Sequence, residues 1–159
     1  FSLTLWDHGV GRKGFGGDSQ SGQSGSLMTL FSLEQAIRGG ISDAGMPDGF
    51  RFDLLSFDAC LMSSYEVISA LSSHGHYFLG SETIVSGAGW DWRFLRPTIY
   101  DGKPTTPLDY AKSIAHATVD FHMRQQDVMP LAIVDLYKQR EFRMAFAASQ
   151  RSLTERLNT

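Results

Sequence analysis

The chain has 159 residues, 42% of them hydrophobic and 19% charged, with a formal charge of −3 at neutral pH. That length suits one domain and excludes two, and the composition supports a buried core rather than a disordered chain. The basic residues are scattered, which leaves no electrostatic footprint for nucleic acid or an anionic membrane, and no apolar run nears the roughly 20 residues of a membrane helix.

The chain opens inside an alternation of Phe1, Leu3 and Leu5 with Ser2 and Thr4. This predicts a strand over Leu3 to Trp6 and implies that an upstream portion precedes it. The strand ends at Asp7-His8-Gly9, and the stretch Gly9 to Ser26, rich in Gly, Ser and Gln, reads as an exposed loop. Ser32-Leu33-Glu34-Gln35 has the form of a capping box, after which Leu33, Ala36, Ile37, Ile41 and Ala44 recur at helical spacing up to Gly45. Phe52 to Phe57 predicts a second strand, closed by Asp58-Ala59-Cys60, and Leu61, Met62, Tyr65, Ile68 and Leu71 then repeat as a helix does. Tyr77 to Gly80 predicts a third strand. It is followed by Ser81-Glu82 and by the loop Gly87-Ala88-Gly89-Trp90, a mixture of glycine and aromatic residues suited to a pocket wall. Thr106-Pro107 opens a long helix with Leu108, Ala111, Ile114, Ala115, Thr118 and Phe121 facing inward. Pro130 leads to a fourth strand, Leu131 to Val134, and a last helix runs from Leu136 onward.

Strands alternating with helices are the pattern of an α/β domain with a largely parallel sheet, helices on both faces, and sites at the carboxyl ends of the strands. Residues 1–159 read as a single such domain. His8 follows the first strand and Cys60 the second, so neighbouring parallel strands bring an imidazole and a thiol into one crevice. Cys60 is placed at the start of the Leu61 helix, whose dipole favours thiolate. The N–H groups of Gly9 and Cys60, turned into the same crevice, would hold an oxyanion, which gives a reason for a residue without a side chain after the histidine. Taken singly, a buried Cys is a small hydrophobe and a strand-end His a hydrogen-bonded one; the shared sheet edge is what joins them. A lone cysteine excludes an internal disulfide and a thiolate metal cluster. His74, His76, His116 and His122 show no metal-ligand spacing and read as surface or helix-face residues, so no metal site is predicted. Gly9-Val10-Gly11-Arg12-Lys13-Gly14 fits the nucleotide-binding G-x-G-x-x-G fingerprint in form, but the Gly- and Ser-rich run beyond it cannot supply the helix that fingerprint needs.

Leu5-Trp6-Asp7-His8-Gly9, Phe57-Asp58-Ala59-Cys60-Leu61-Met62, and Ser81-Glu82 followed by Gly89-Trp90 resemble the peptidase C11 family, whose type member is clostripain. Cys60 lies 52 residues after His8, near the roughly 50-residue interval of caspases. The resemblance implies an α/β fold that is a caspase-like three-layer sandwich of clan CD, missing its N-terminal strand or strands in this stretch. It implies a His8/Cys60 dyad with Gly9 beside it and endopeptidase action after Arg or Lys on protein or peptide substrates. A secreted or periplasmic bacterial enzyme, self-cleavage downstream of the histidine, and association with the upstream segment belong to the same expectation. The resemblance also brings possible calcium (Ca2+) dependence, although no acidic loop has an EF-hand pattern and the residues themselves require no cofactor.

Asp58, two positions before the cysteine, is implied by the resemblance to bind the basic side chain of the substrate; a carboxylate in a partly desolvated pocket pairs strongly with a guanidinium. Its other reading is a helix N-cap. Glu82 joins it as a substrate-binding residue, followed by Thr83-Ile84-Val85-Ser86 where the family is commonly more acidic. Trp90 either walls the pocket along the aliphatic stem of the substrate or belongs to the core. Arg12 and Lys13, tethered close to the dyad, are the candidate self-cleavage residues. A non-catalytic peptide-binding module of the same fold is the competing reading, and selective labelling of Cys60 separates the two.

Overall fold

The computed structural model describes residues 1–17, 27–95 and 106–157. Four strands, β1 (Ser2–Trp6), β2 (Phe52–Asp58), β3 (Gly75–Gly80) and β4 (Ala132–Asp135), lie side by side in chain order among the described residues. The first three are parallel, and β4 runs antiparallel to β3. The helices that lie wholly among the described residues are α1 (Leu30–Asp43), α2 (Tyr65–Leu71), α3 (Pro107–Arg124) and α4 (Leu136–Leu157). Parallel neighbours need a crossover, and α1 and α2 provide the two.

The period of two along β2 divides the core into two layers. Leu55 and Phe57 pack with Leu33 and Ile37 of α1 and Val67 and Leu71 of α2. Leu54 joins Leu79 and Trp90 against Ala111 and Ile114 of α3 on the other face. The result is a three-layer sandwich with β2 buried on both sides, which explains why the neighbours Leu54 and Leu55 are both apolar.

The start of α3 follows the local signals: Thr106 accepts a hydrogen bond from the Asp109 N–H, and Pro107 takes the first turn. α1 begins one turn earlier than the capping-box reading, because Leu30 also reaches the core and Thr29, not Ser32, is the cap, accepting from the Ser32 N–H at 3.1 Å. Glu34 pairs instead with His74 at 3.0 Å and Arg38 at 3.5 Å. The helix expected from Leu61 starts only at Tyr65. Leu61 has left-handed backbone (φ 59°), and the turn is tied to distant chain by Leu61 N–H to the Thr83 carbonyl (3.0 Å) and Ser63 N–H to the Ser81 carbonyl (2.9 Å).

The stretch read as an exposed loop is in its described part a packed structure. Gly11–Lys13 form one 3-10 turn, and Phe15 pairs with both Gly9 and Met28 and is buried edge-on against Phe57. Positions 18–26 of that stretch lie outside the described residues. The glycine fingerprint therefore leads into extended chain, not a helix. Among the described residues β1 pairs with β2 alone, and a groove of about 450 Å³ lined by Leu3, Leu5, Ile37, Ile41, Met46 and Phe50 runs beside it. Among the described residues no helix is long and apolar enough to cross a membrane.

Candidate active site

Trp6 of β1 stands opposite Asp58 of β2 in the ladder, and His8 and Cys60 each follow two residues later. Both line one crevice of about 340 Å³, together with Trp6, Asp58, Val85 and Gly89. His8 is exposed and Cys60 partly so. The Cys60 Sγ accepts a hydrogen bond from the Val85 N–H at 3.4 Å, so the thiol contacts the loop that follows β3. The expected seat at a helix N-terminus is corrected: Leu61 to Ser64 intervene, and the dipole of a seven-residue helix begins beyond them. A turn through the left-handed Leu61, costing about 1–2 kcal/mol for an L-residue, presents the thiol instead.

Gly9 is required by close approach. A Cβ there would run into the Cys60 carbonyl oxygen and stand 2.6 Å from Met62 Cγ. Among the described residues no acceptor is found for the N–H of Gly9 or of Cys60. The neighbouring backbone is fixed by the Gly16 N–H, which donates to the His8 carbonyl at 2.8 Å.

Asp58 is 3% exposed. It caps no helix, since Ser64 stands at the start of α2. Its Oδ2 accepts from the Trp90 N–H at 3.0 Å, and the Trp92 side chain donates to the same carboxyl. Burial pushes this carboxyl above its ordinary value, against the opposing effects of the Trp90 N–H, the Trp92 side chain and the charge of His122.

Gly89, left-handed at φ 65°, lies against that carboxylate; a Cβ would meet Asp58 Oδ2 at 3.0 Å. Its carbonyl accepts from His122 Nε2 at 2.8 Å, and His122 Nδ1 is 3.3 Å from Asp127 Oδ2. The surface reading of His122 is corrected, since the residue is 1% exposed. Its position four residues after Thr118 on the inward face of α3 was the available signal. His74 is also buried, on Glu34, whereas His76 and His116 are exposed.

The other sequence-derived residues scatter. Glu82 is exposed and outside the crevice lining. The Trp90 ring belongs to the core layer with Leu54 and Leu79, and its backbone N–H is what reaches Asp58. Arg12 and Lys13 are exposed on the 3-10 turn. Among the described residues no three His, Cys, Asp or Glu side chains converge on a metal-sized site.

The model of the Clostripain family matches residues 1–158. A secreted C11 cysteine protease from Bacteroides thetaiotaomicron, solved with an irreversible peptide inhibitor, superposes with a TM-score of 0.66 at 22% identity, over 87% of this chain and 40% of that one. A clostripain from the same species in complex with the peptide inhibitor BTN-VLTK-AOMK gives 0.56 at 23%, over 77% and 48%. An inactive zymogen C11 protease from Parabacteroides distasonis gives 0.54 at 21%, over 88% and 35%. These likenesses are ones of fold, and the chain spans less than half the length of each. No curated protein matches it.

Proposed function

Since the chain belongs to the clostripain family of C11 cysteine peptidases, we propose that it carries the dyad and the primary specificity pocket of an endopeptidase that cuts after Arg or Lys. The observation that carries this reading is the crevice shared by His8, Cys60 and Asp58, with that carboxyl almost wholly buried. A substrate guanidinium or ammonium pairs with the acid; a neutral side chain leaves it without a counter-charge and binds worse. The lysine that ends the VLTK peptide bound to the B. thetaiotaomicron clostripain fits this preference.

Cys60 attacks as thiolate, forming a bond from sulfur to the scissile carbonyl carbon. The Gly9 and Cys60 N–H groups hold the oxyanion, and the lack of other acceptors for them among the described residues suits them to it. As the carbon–nitrogen bond breaks, protonated His8 gives its proton to the leaving amine. Water then adds to the thioester, passing a proton back to His8 and releasing the new carboxyl end and the thiolate.

Three further readings go with this one. A secreted or periplasmic bacterial location is supported by the secreted neighbour. Pairing of an upstream segment with β1 is supported by a strand edge that no described residue pairs with and by the apolar groove beside it. Self-processing after Arg12 or Lys13 is supported by their exposure and by the zymogen among the neighbours.

The test is intact-mass labelling of the full chain with a lysine-directed acyloxymethyl ketone and with its norleucine analogue. The lysine reagent is expected to modify Cys60 at least about tenfold faster. Equal rates for the two reagents, or rates no greater than those of a free thiol, would overturn the reading.

A further inference from the structure

The peptide unit joining Gly89 to Trp90 is gripped from both sides. Its carbonyl accepts from His122 Nε2 at 2.8 Å, and its N–H donates to Asp58 Oδ2 at 3.0 Å. A trans peptide is planar, with C=O and N–H pointing opposite ways, so one rigid plate connects the buried face of α3 to the carboxylate at the end of β2. His122 is 1% exposed and Asp58 3%, which leaves little room for water to replace either contact. The next peptide is tied to the same helix face, since the Asp91 N–H donates to Thr118 Oγ1 at 3.3 Å. Gly89 permits the approach: it is left-handed and has no Cβ to strike the acid.

A carbonyl only accepts, so the imidazole must carry a proton on Nε2, and Asp127 faces the other nitrogen at 3.3 Å. The result is a chain of polar groups from Asp127 through His122 and the peptide to Asp58. In a low-dielectric interior such bonds polarise and strengthen one another.

We propose that His122 is a positioning residue for substrate specificity: through the Gly89–Trp90 peptide, which it holds by the carbonyl, it fixes the Asp58 carboxylate in the orientation that receives the cationic side chain of the substrate. This rests on the reading of Asp58 as the acid of the specificity pocket. Without the grip on the carbonyl, the peptide is free to turn, and the carboxylate it holds loses that orientation.

Two amide variants separate positioning from simple core filling. The His122→Gln amide nitrogen reaches the place of Nε2 and can donate to the Gly89 carbonyl; the shorter His122→Asn amide ends near the place of Nδ1. Cys60 labelling rates are measured in the full chain with the lysine-directed and norleucine-directed acyloxymethyl ketones, with iodoacetamide reporting on the thiol itself. His122→Asn is expected to lose the lysine preference by about tenfold or more and His122→Gln to keep it within about threefold, with iodoacetamide rates unchanged in both. Folded variants that both keep the preference, or both lose it, overturn the proposal. A wild type without lysine preference would refute the reading of the pocket itself, and the proposal would fall with it. Should a variant not fold, a 15N-histidine spectrum of the wild type decides: a proton held on Nδ1 alone, with Nε2 bare, overturns the grip.

Discussion

Gly9 and Cys60 meet backbone to backbone, so closely that a methyl group on Gly9 would collide with the Cys60 carbonyl oxygen. This contact sets the spacing between the strand end that bears the histidine and the turn that bears the thiol. Gly9→Ala is expected to force the two apart, costing about 1–3 kcal/mol as overpacking does, and to slow Cys60 labelling by the lysine-directed reagent. Urea melts and labelling rates check both; a variant as stable and as fast as wild type would show that the two ends are not coupled.

Cys60→Ala and His8→Ala are each expected to abolish turnover, because a nucleophile and its acid act as one unit and single losses are nearly as severe as double ones. Circular dichroism should remain native, since His8 is exposed and Cys60 lies at the crevice rather than in either core layer. Retained hydrolysis in Cys60→Ala would reject the nucleophile assignment.

Asp58→Asn is expected to lower kcat/KM for Arg and Lys substrates by about 2–4 kcal/mol, as for breaking one side of a buried charge pair. Neutral substrates should change far less.

The same substitution has a stability signature with a definite sign. Burial raises the Asp58 pKa above 3.8, so the proton is held more tightly in the folded chain than in the unfolded one. The stabilisation this gives is full below 3.8 and is lost as pH rises through the raised value, above which the buried charge opposes folding. Asp58→Asn should therefore raise the melting temperature more at about pH 7.5 than at about pH 4.5. A gain that shrinks with rising pH would contradict the burial of the ionised acid.

Self-processing after Arg12 or Lys13 meets an obstacle that composition did not disclose. These residues sit in a turn closed by Lys13 N–H to the Val10 carbonyl at 3.2 Å and Gly14 N–H to the Gly11 carbonyl at 3.0 Å. The turn must open before the chain can lie extended across a thiol, so cleavage is expected to be slow and to quicken in mild denaturant. Mass spectrometry should find a peptide ending at Arg12 or Lys13 from wild type and none from Cys60→Ala. Equal nicking of both would point to a contaminating protease.

The parts of this fold that were legible in sequence are those governed by nearby residues. Thr106-Pro107 marks the start of α3 because the cap and the proline act within one turn. His8 and Cys60 could be brought to one edge because parallel strands make their carboxyl ends neighbours. Leu61, Met62 and Tyr65 misled because apolar spacing imitates a helix, while the hydrogen bonds that hold the turn come from Thr83 and Ser81, some twenty residues away. His122 was missed for a similar reason: a histidine is buried only where an acceptor awaits it, and here that acceptor is the carbonyl of Gly89 in another segment. Phe15 was hidden in a run of glycines that resembled a linker, yet it packs on Phe57.

Among the described residues β1 pairs along one side, with β2, and its last residue Trp6 is 75% exposed. A strand laid along the other side, as proposed above for the upstream segment, would leave no ladder there for foreign chains to extend. Because β1 is also the strand that leads into His8, such pairing would steady the histidine's end of the crevice from outside it.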